Sequence, residues 1–138
     1  MNKVMVFGTF DILHKGHLNF FRRAKNLANY LIVVVGRDIF VKNIKGELPK
    51  NKERVRANKI RKAEIADKVV LGSRTYDYFR TIRTYKPEII ALGYDQKPSM
   101  IKLKKDLRRH RLKNIKIVRL KPYRETFFKS SKLRNLSQ

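Results

Sequence analysis

Short apolar runs alternate with amphipathic stretches along the whole chain. Val4–Phe7 is the first such run. Leu31–Val35 is an almost unbroken β-branched run, the composition of a strand buried on both faces. Three further strands are predicted at Lys68–Leu71, Glu88–Leu92 and Asn114–Leu120. Between them apolar positions recur near a 3.6-residue period. Leu18, Phe21, Ala24, Leu27 and Ala28 predict a helix over Gly16–Asn29. Others are predicted over Glu53–Ala63, over Thr75–Tyr85, which stops before Pro87, and over Ser99–Arg111 with Met100, Leu103 and Leu107 inward. Residues 130–136 suggest a last short helix. Residues 38–52 are mixed and Lys-rich, with Gly46 and Pro49, and read as a partly mobile loop. This β-α-β rhythm predicts an α/β fold, a Rossmann-like open parallel sheet of about five strands with helices on both faces. A chain of 138 residues is expected to form a single domain, 1–138.

Composition narrows the setting. Hydrophobic residues make up 42% of the chain, enough for a real core. No apolar run is long enough to cross a membrane, and the N-terminus enters a strand without a signal-peptide pattern. There are no cysteines, which removes disulfides and thiolate metal sites. A cytoplasmic enzyme fits these features. The net charge of +24 is extreme, and residues 97–138 hold 15 of the 35 basic residues but only 2 of the 11 acidic ones. Such a surface attracts polyanions, nucleic acid included. It can equally steer nucleotide substrates or reflect a Lys-rich bias or a high-salt cell, and charge alone does not choose. Paired-aromatic RNA-binding motifs, zinc fingers and the Gly-x-Gly-x-x-Gly dinucleotide fingerprint are all missing.

The densest chemistry follows the first strand: Gly8-Thr9-Phe10-Asp11-Ile12-Leu13-His14-Lys15-Gly16-His17. A strand running into a helix gathers backbone N–H groups and the positive helix end at one place, which suits phosphate. Gly8 permits close backbone approach, Thr9 offers a hydroxyl, and Gly16 is expected to let the chain turn tightly between the histidines. His14 and His17 are three apart, so a helical first turn puts both on one face, where imidazoles can donate to a transferring phosphoryl group. A zinc site is a weaker reading, since two histidines without a third ligand hold zinc poorly.

In open α/β sheets ligands bind at the carboxyl ends of the strands. The second strand leads to Arg37, Asp38, Lys42 and Lys45, the fourth to Gly93-Tyr94-Asp95-Gln96, and the fifth to Arg119 and then Arg124. Arg54 opens a helix where a cation opposes the dipole, which suggests a partner such as substrate phosphate. Ser130 would cap the last helix and offer N–H groups and a hydroxyl to phosphate.

The Gly-x-Phe-Asp-x-x-His-x-Gly-His pattern resembles the nucleotidyltransferase superfamily, whose members join a nucleotide to a phosphate or phosphate ester and release pyrophosphate. His14 argues against the pantetheine-phosphate branch, which usually has Thr there, and the opening looks cytidylyltransferase-like. Class I aminoacyl-tRNA synthetases share a related element on much longer chains. Gly93-Tyr94-Asp95-Gln96 departs from the Gly-Asp-Asp-Trp of glycerol-phosphate cytidylyltransferases. The Ala-Leu-Gly-Tyr-Asp-Gln form from Ala91 is similar to archaeal FAD synthetases, as is Lys129-Ser130-Ser131-Lys132, with Arg124 one position farther from Ser130 than the family spacing. The resemblance implies transfer of AMP from ATP to FMN with Mg²⁺ on the phosphates. It assigns His14, His17, Lys45, Arg124, Ser130 and Ser131 to the phosphates, with Gly8, Thr9, Phe10, Asp11, Gly16, Arg54, Gly93, Tyr94 and Asp95 lining the substrate site. It also suggests a homodimer. A cytidylyltransferase making a CDP-alcohol from CTP, and a nucleic-acid-binding protein on the same fold, are the alternatives.

Overall fold

In the computed structural model, Lys3–Gly8 (β1), Tyr30–Val35 (β2), Lys68–Leu71 (β3), Ile89–Leu92 (β4) and Lys116–Arg119 (β5) form one sheet. Its order is β3-β2-β1-β4-β5 and every pairing is parallel. The structure describes residues 2–74, 78–96, 100–112 and 114–121. The helices are Lys15–Lys25 (α1), Asp38–Lys45 (α2), Glu53–Lys62 (α3), Tyr78–Tyr85 (α4) and Met100–Arg109 (α5).

The β2 run explains the layering. Its odd residues, Leu31, Val33 and Val35, pack with Val4 and Val6 of β1, Phe21 and Ala24 of α1, and Ala57 and Ile60 of α3. Its even residues, Ile32 and Val34, pack with Met5 of β1, Phe79 and Ile82 of α4, and Leu103 and Leu107 of α5. Side chains alternate along a strand, so a run that is apolar at every position must be covered on both faces. The expected sheet and its two helical layers are both present.

Strand order reverses at β1, so the switch point lies between β1 and β4. The register there is incomplete. β1 pairs with β2 over its full length, from Lys3↔Tyr30 to Gly8↔Val35. It pairs with β4 only at Val4↔Ile89 and Met5↔Ile90. Beyond Met5 the two central strands separate, and a crevice opens at their carboxyl ends.

Residues 38–52 differ from expectation: Asp38–Lys45 is helical. Asp38 sits in the first turn, where a carboxylate complements the dipole, and Gly46 closes the helix in the left-handed conformation (φ 86°). Val41 is buried and Phe40 half-buried, while Lys42, Asn43 and Lys45 are exposed. The lysines that made the segment look like a loop are the solvent face of an amphipathic helix. The first helix also ends at Lys25, four residues before the predicted end, with Asn26 as its C-cap. The helix predicted over 130–136 lies outside the described residues. Among the described residues no helix is long and apolar enough to cross a membrane.

Candidate active site

The β1–α1 loop builds its histidine pair from local bonds. His14 is the N-cap of α1, with extended backbone (φ −135°, ψ 178°), and its Nδ1 accepts from the Gly16 N–H at 3.1 Å. His17, three residues on, places its Nδ1 3.4 Å from the His14 N–H. This is a capping box in which two imidazoles take the usual Ser/Thr and Glu/Gln roles. The rings stack with centroids 3.8 Å apart and planes 24° from parallel. A ring nitrogen that accepts carries no proton, so each imidazole acting in the box holds its proton on Nε2.

Gly16 does not make a turn. It is the second residue of α1, and a Cβ there would lie 2.9 Å from His14 Cε1. Its missing side chain makes room for the imidazole that caps the helix. Gly8 serves Phe10 in the same way, since a Cβ at Gly8 would come within 2.4 Å of the Phe10 ring. Phe10 has a left-handed backbone (φ 52°), uncommon outside glycine, and its ring is buried. That ring meets His17 edge-on at 5.4 Å and Phe21 at 5.0 Å. Burial and the adjacent His14 push the His17 imidazole down to about 4, and a backbone hydrogen bond with Ile12 acts the other way. His17 is therefore neutral at physiological pH.

Asp11 ties this loop to the α2–α3 connection. Its carboxylate oxygens accept from the Lys50 and Asn51 N–H groups at 2.7 and 2.8 Å, and the Asn51 amide donates to the Asp11 carbonyl at 2.7 Å. Burial would raise the carboxyl, but the Asn51 and Lys50 hydrogen bonds and the Arg56 charge outweigh it and leave it below the usual value. The Asp11 carboxylate is thus engaged by the protein itself.

Arg56 is the residue that sequence reasoning missed. It is 0% exposed and donates to the carbonyls of Thr9 (2.7 Å) and Asn51 (2.9 Å) and to the Asp38 carboxylate (2.5 Å). Asp38 and Glu53 exchange bonds between two helix starts. The Glu53 carboxylate accepts from the Asp38 N–H at 2.9 Å, and the Asp38 carboxylate accepts from the Glu53 N–H at 3.2 Å. Arg37 joins Glu53 at 3.0 Å and the Gly72 carbonyl at 2.9 Å. The signal for Arg56 was present, because it shares the inward face of α3 with Ala57 and Ile60. A charge on an apolar stripe needs buried partners. Arg54, singled out instead, is exposed on that helix.

Across the crevice, Gln96 connects the two central strands. Its amide donates to the Phe7 carbonyl at 2.7 Å and accepts from the Gly93 N–H at 3.1 Å. Arg119 holds the same turn through the Gly93 and Gln96 carbonyls, at 2.7 and 2.9 Å. Tyr94 (42% exposed) and Asp95 project at its exposed tip. Gln96 and Arg119 were named among the strand-end groups but given no role in the site, and both shape the crevice through backbone groups.

On the α4 side of the strand ends lies an open cleft of about 260 Å³. Gly8 and Thr9 line it, together with Phe7, Phe40, Lys45 and Tyr78. The structure thus gathers Gly8, Thr9, Phe10, His14, Gly16 and His17 along the end of β1, the loop after it and the first turn of α1, and Lys45 shares a cleft with the first two. Arg124, Ser130 and Ser131 lie outside the described residues.

The comparisons with known proteins agree with the family resemblance. The cytidylyltransferase-like family model matches residues 5–136. The chain is 40% identical to the FAD synthase of Aciduliprofundum boonei, over 89% of this chain and 80% of that protein. It is likewise 40% identical to the FAD synthase of Archaeoglobus profundus, over 95% and 82%. Among solved structures, a Thermoplasma volcanium protein described as a lipopolysaccharide core biosynthesis protein superimposes with a TM-score of 0.84 at 37% identity, covering 89% of this chain and 98% of that one. Pantothenate synthetase from Thermus thermophilus shares the fold alone, with a TM-score of 0.62 at 14% identity over 90% of this chain and 57% of that one. With its histidine pair, parallel sheet and near-full-length matches, the chain belongs to the cytidylyltransferase-like family of nucleotidyltransferases, in the group that holds the archaeal FAD synthases.

Proposed function

We propose that this protein is an FMN adenylyltransferase, which transfers AMP from ATP to FMN and releases FAD and pyrophosphate. The chemistry rests on one observation: the stacked His14–His17 pair at the start of α1, just after the loop that follows β1. The acceptor rests on the relatives named FAD synthase. An oxygen of the FMN phosphate attacks the α-phosphorus of ATP. The bond from that phosphorus to the bridging oxygen breaks, and pyrophosphate leaves with the electron pair. The attacking group is already an anion, so no side chain need remove a proton. Catalysis is then positioning and charge stabilisation. His14 and His17 stabilise the negative charge that builds on the α-phosphate and the leaving pyrophosphate. Lys45, with Arg124, Ser130 and Ser131 of the C-terminal segment, holds phosphates.

Mg²⁺ belongs to the substrate in this reading. Among the described residues no group of three or more His, Asp or Glu side chains is arranged to hold a metal ion, and Asp11 is occupied by backbone N–H groups. The ion arrives on the ATP phosphates and neutralises their charge.

Two mixtures test the proposal: ATP with FMN, and CTP with glycerol phosphate, each followed for pyrophosphate and for the nucleotide product. FAD and pyrophosphate in equal amounts are expected from the first alone. A CDP-alcohol from the second, with no FAD from the first, overturns it.

A further inference from the structure

We infer that the cleft beside the β1 tip takes the planar ring system of the acceptor, and that Phe40 and Tyr78 are the residues that select for it. This inference rests on the proposed reaction, which supplies a flavin as acceptor.

The position of the cleft comes first. Gly8 and Thr9 line it and also open the loop that leads to the histidines, so the two regions meet at the end of β1. They approach that point from opposite faces of the sheet. Phe10, which walls His17, packs in the cluster with Val4, Val6 and Phe21. Phe7 and Tyr78, in the cleft, pack with the cluster of Met5, Val34 and Phe79. In-line transfer requires the entering oxygen and the leaving pyrophosphate on opposite sides of the phosphorus. An acceptor entering from the cleft and a triphosphate held at the histidines would approach the end of β1 from the two sides that this reaction needs.

The lining of the cleft comes second. Phe7 and Tyr78 stand edge to face, with centroids 6.0 Å apart and planes at 72°, and α2 contributes Phe40. Aromatic walls favour a flat conjugated guest through ring–ring contact. A small polyol phosphate would leave them wet. Two cations also line the cleft, but one is committed: Arg37 binds Glu53 and the Gly72 carbonyl. Lys45, exposed at the end of α2, is left to meet the acceptor's phosphate.

Adenine is also a flat heteroaromatic ring, so the experiment must separate the two. Phe7 and Gln96 line the cleft where it borders the β1/β4 crevice, the place where such sheets hold nucleotides, and Phe40 and Tyr78 wall its far part. That leaves the far part for the acceptor.

The test uses the full chain and the variants Phe40→Ala, Phe40→Leu, Phe40→Trp and Tyr78→Ala, with folding checked by circular dichroism. Phe40→Leu keeps apolar bulk without a π face. FMN affinity is read from flavin fluorescence in the presence of an ATP analogue with an unreactive α,β linkage. KM for each substrate is read from FAD formation. Loss of ring contact is expected to raise the Kd and KM for FMN about three- to tenfold in the Ala and Leu variants, with Phe40→Trp close to wild type. KM for ATP is expected to stay unchanged. A rise for ATP instead of FMN puts adenine in the cleft, and no change for either removes these residues from recognition; both overturn the inference. If wild type makes FAD while the variants bind FMN normally, the inference alone fails. If it makes no FAD and FMN binding is weakened by the variants, the site stands and the reaction falls. If FMN does not bind at all, both fall.

Discussion

His14 and His17 grip the β1–α1 loop from within it, and Arg56 grips the same loop from far along the chain. The histidine contacts span two and three residues and form as soon as the first turn of α1 forms. The Arg56 contacts reach 5, 18 and 47 residues away and need the α2–α3 connection already folded against the sheet. The orientation of the imidazoles is therefore a property of the helix start, whereas the position of that start over the crevice is a property of the whole domain. Chemistry and placement are carried by different residues and should be separable by substitution.

The largest effect is expected where placement is cut. Arg56→Met leaves the Thr9 and Asn51 carbonyls without their donor and Asp38 without its buried counter-ion. Removing one partner of a buried pair typically costs about 3–5 kcal/mol, read here as the loss of unfolding free energy in urea. A loss under about 1 kcal/mol would place Arg56 among ordinary surface charges and end the distinction between the two regions.

Cutting the chemistry should do the reverse. His17→Ala is expected to lower kcat about 10²–10³-fold, the size of one lost transition-state donor. Its stability should fall by only about 1 kcal/mol, the size of a cap contact. Saturating ATP and FMN in the FAD assay, beside a urea titration of the same preparation, gives both numbers. Near-normal turnover would remove His17 from the mechanism.

The same division marks what the sequence made legible. Five strands, the two-sided burial of β2 and the facing of His14 and His17 all follow from spacing within a few residues, and the structure has each of them. What spacing did not disclose depends on distant partners or on neighbouring volume. Gly16 looked like a turn residue because a turn is the local reason for glycine, but the actual reason is the His14 ring folded over it. The α2 helix was hidden because its lysines were counted before its apolar face, and because the carboxylate that accepts from its first N–H group, Glu53, lies 15 residues away. Arg56 was passed over for Arg54: its place on the Ala57–Ile60 face of α3 marked it as inward, but the groups that neutralise it, the Thr9 carbonyl and Asp38, lie 47 and 18 residues away.

The smallest effect expected is a pH dependence of stability that belongs to His17 alone. Its folded-state value is about 4 against an ordinary 6.5, because its ring is desolvated and lies against His14. Above pH 6.5 it is neutral in both folded and unfolded chains, and the stabilisation is fully present. Between 6.5 and 4 the unfolded chain takes up a proton that the folded chain refuses, so stability falls as pH falls. Below 4 both forms are protonated and the loss stops. One proton gives a slope of at most about 1.4 kcal/mol per pH unit, and partial solvation of the ring lowers it further. Asp11 stays out of this window, since its carboxyl lies below 3.8 and is ionised in both states at pH 5 and above. Urea titrations at pH 7, 6 and 5 on wild type and His17→Gln isolate the contribution. The wild-type stability should decline more steeply than that of the variant. Equal slopes would mean that His17 takes up its proton as readily in the folded chain as in the unfolded one, and its ring could not then be held as neutral near pH 6.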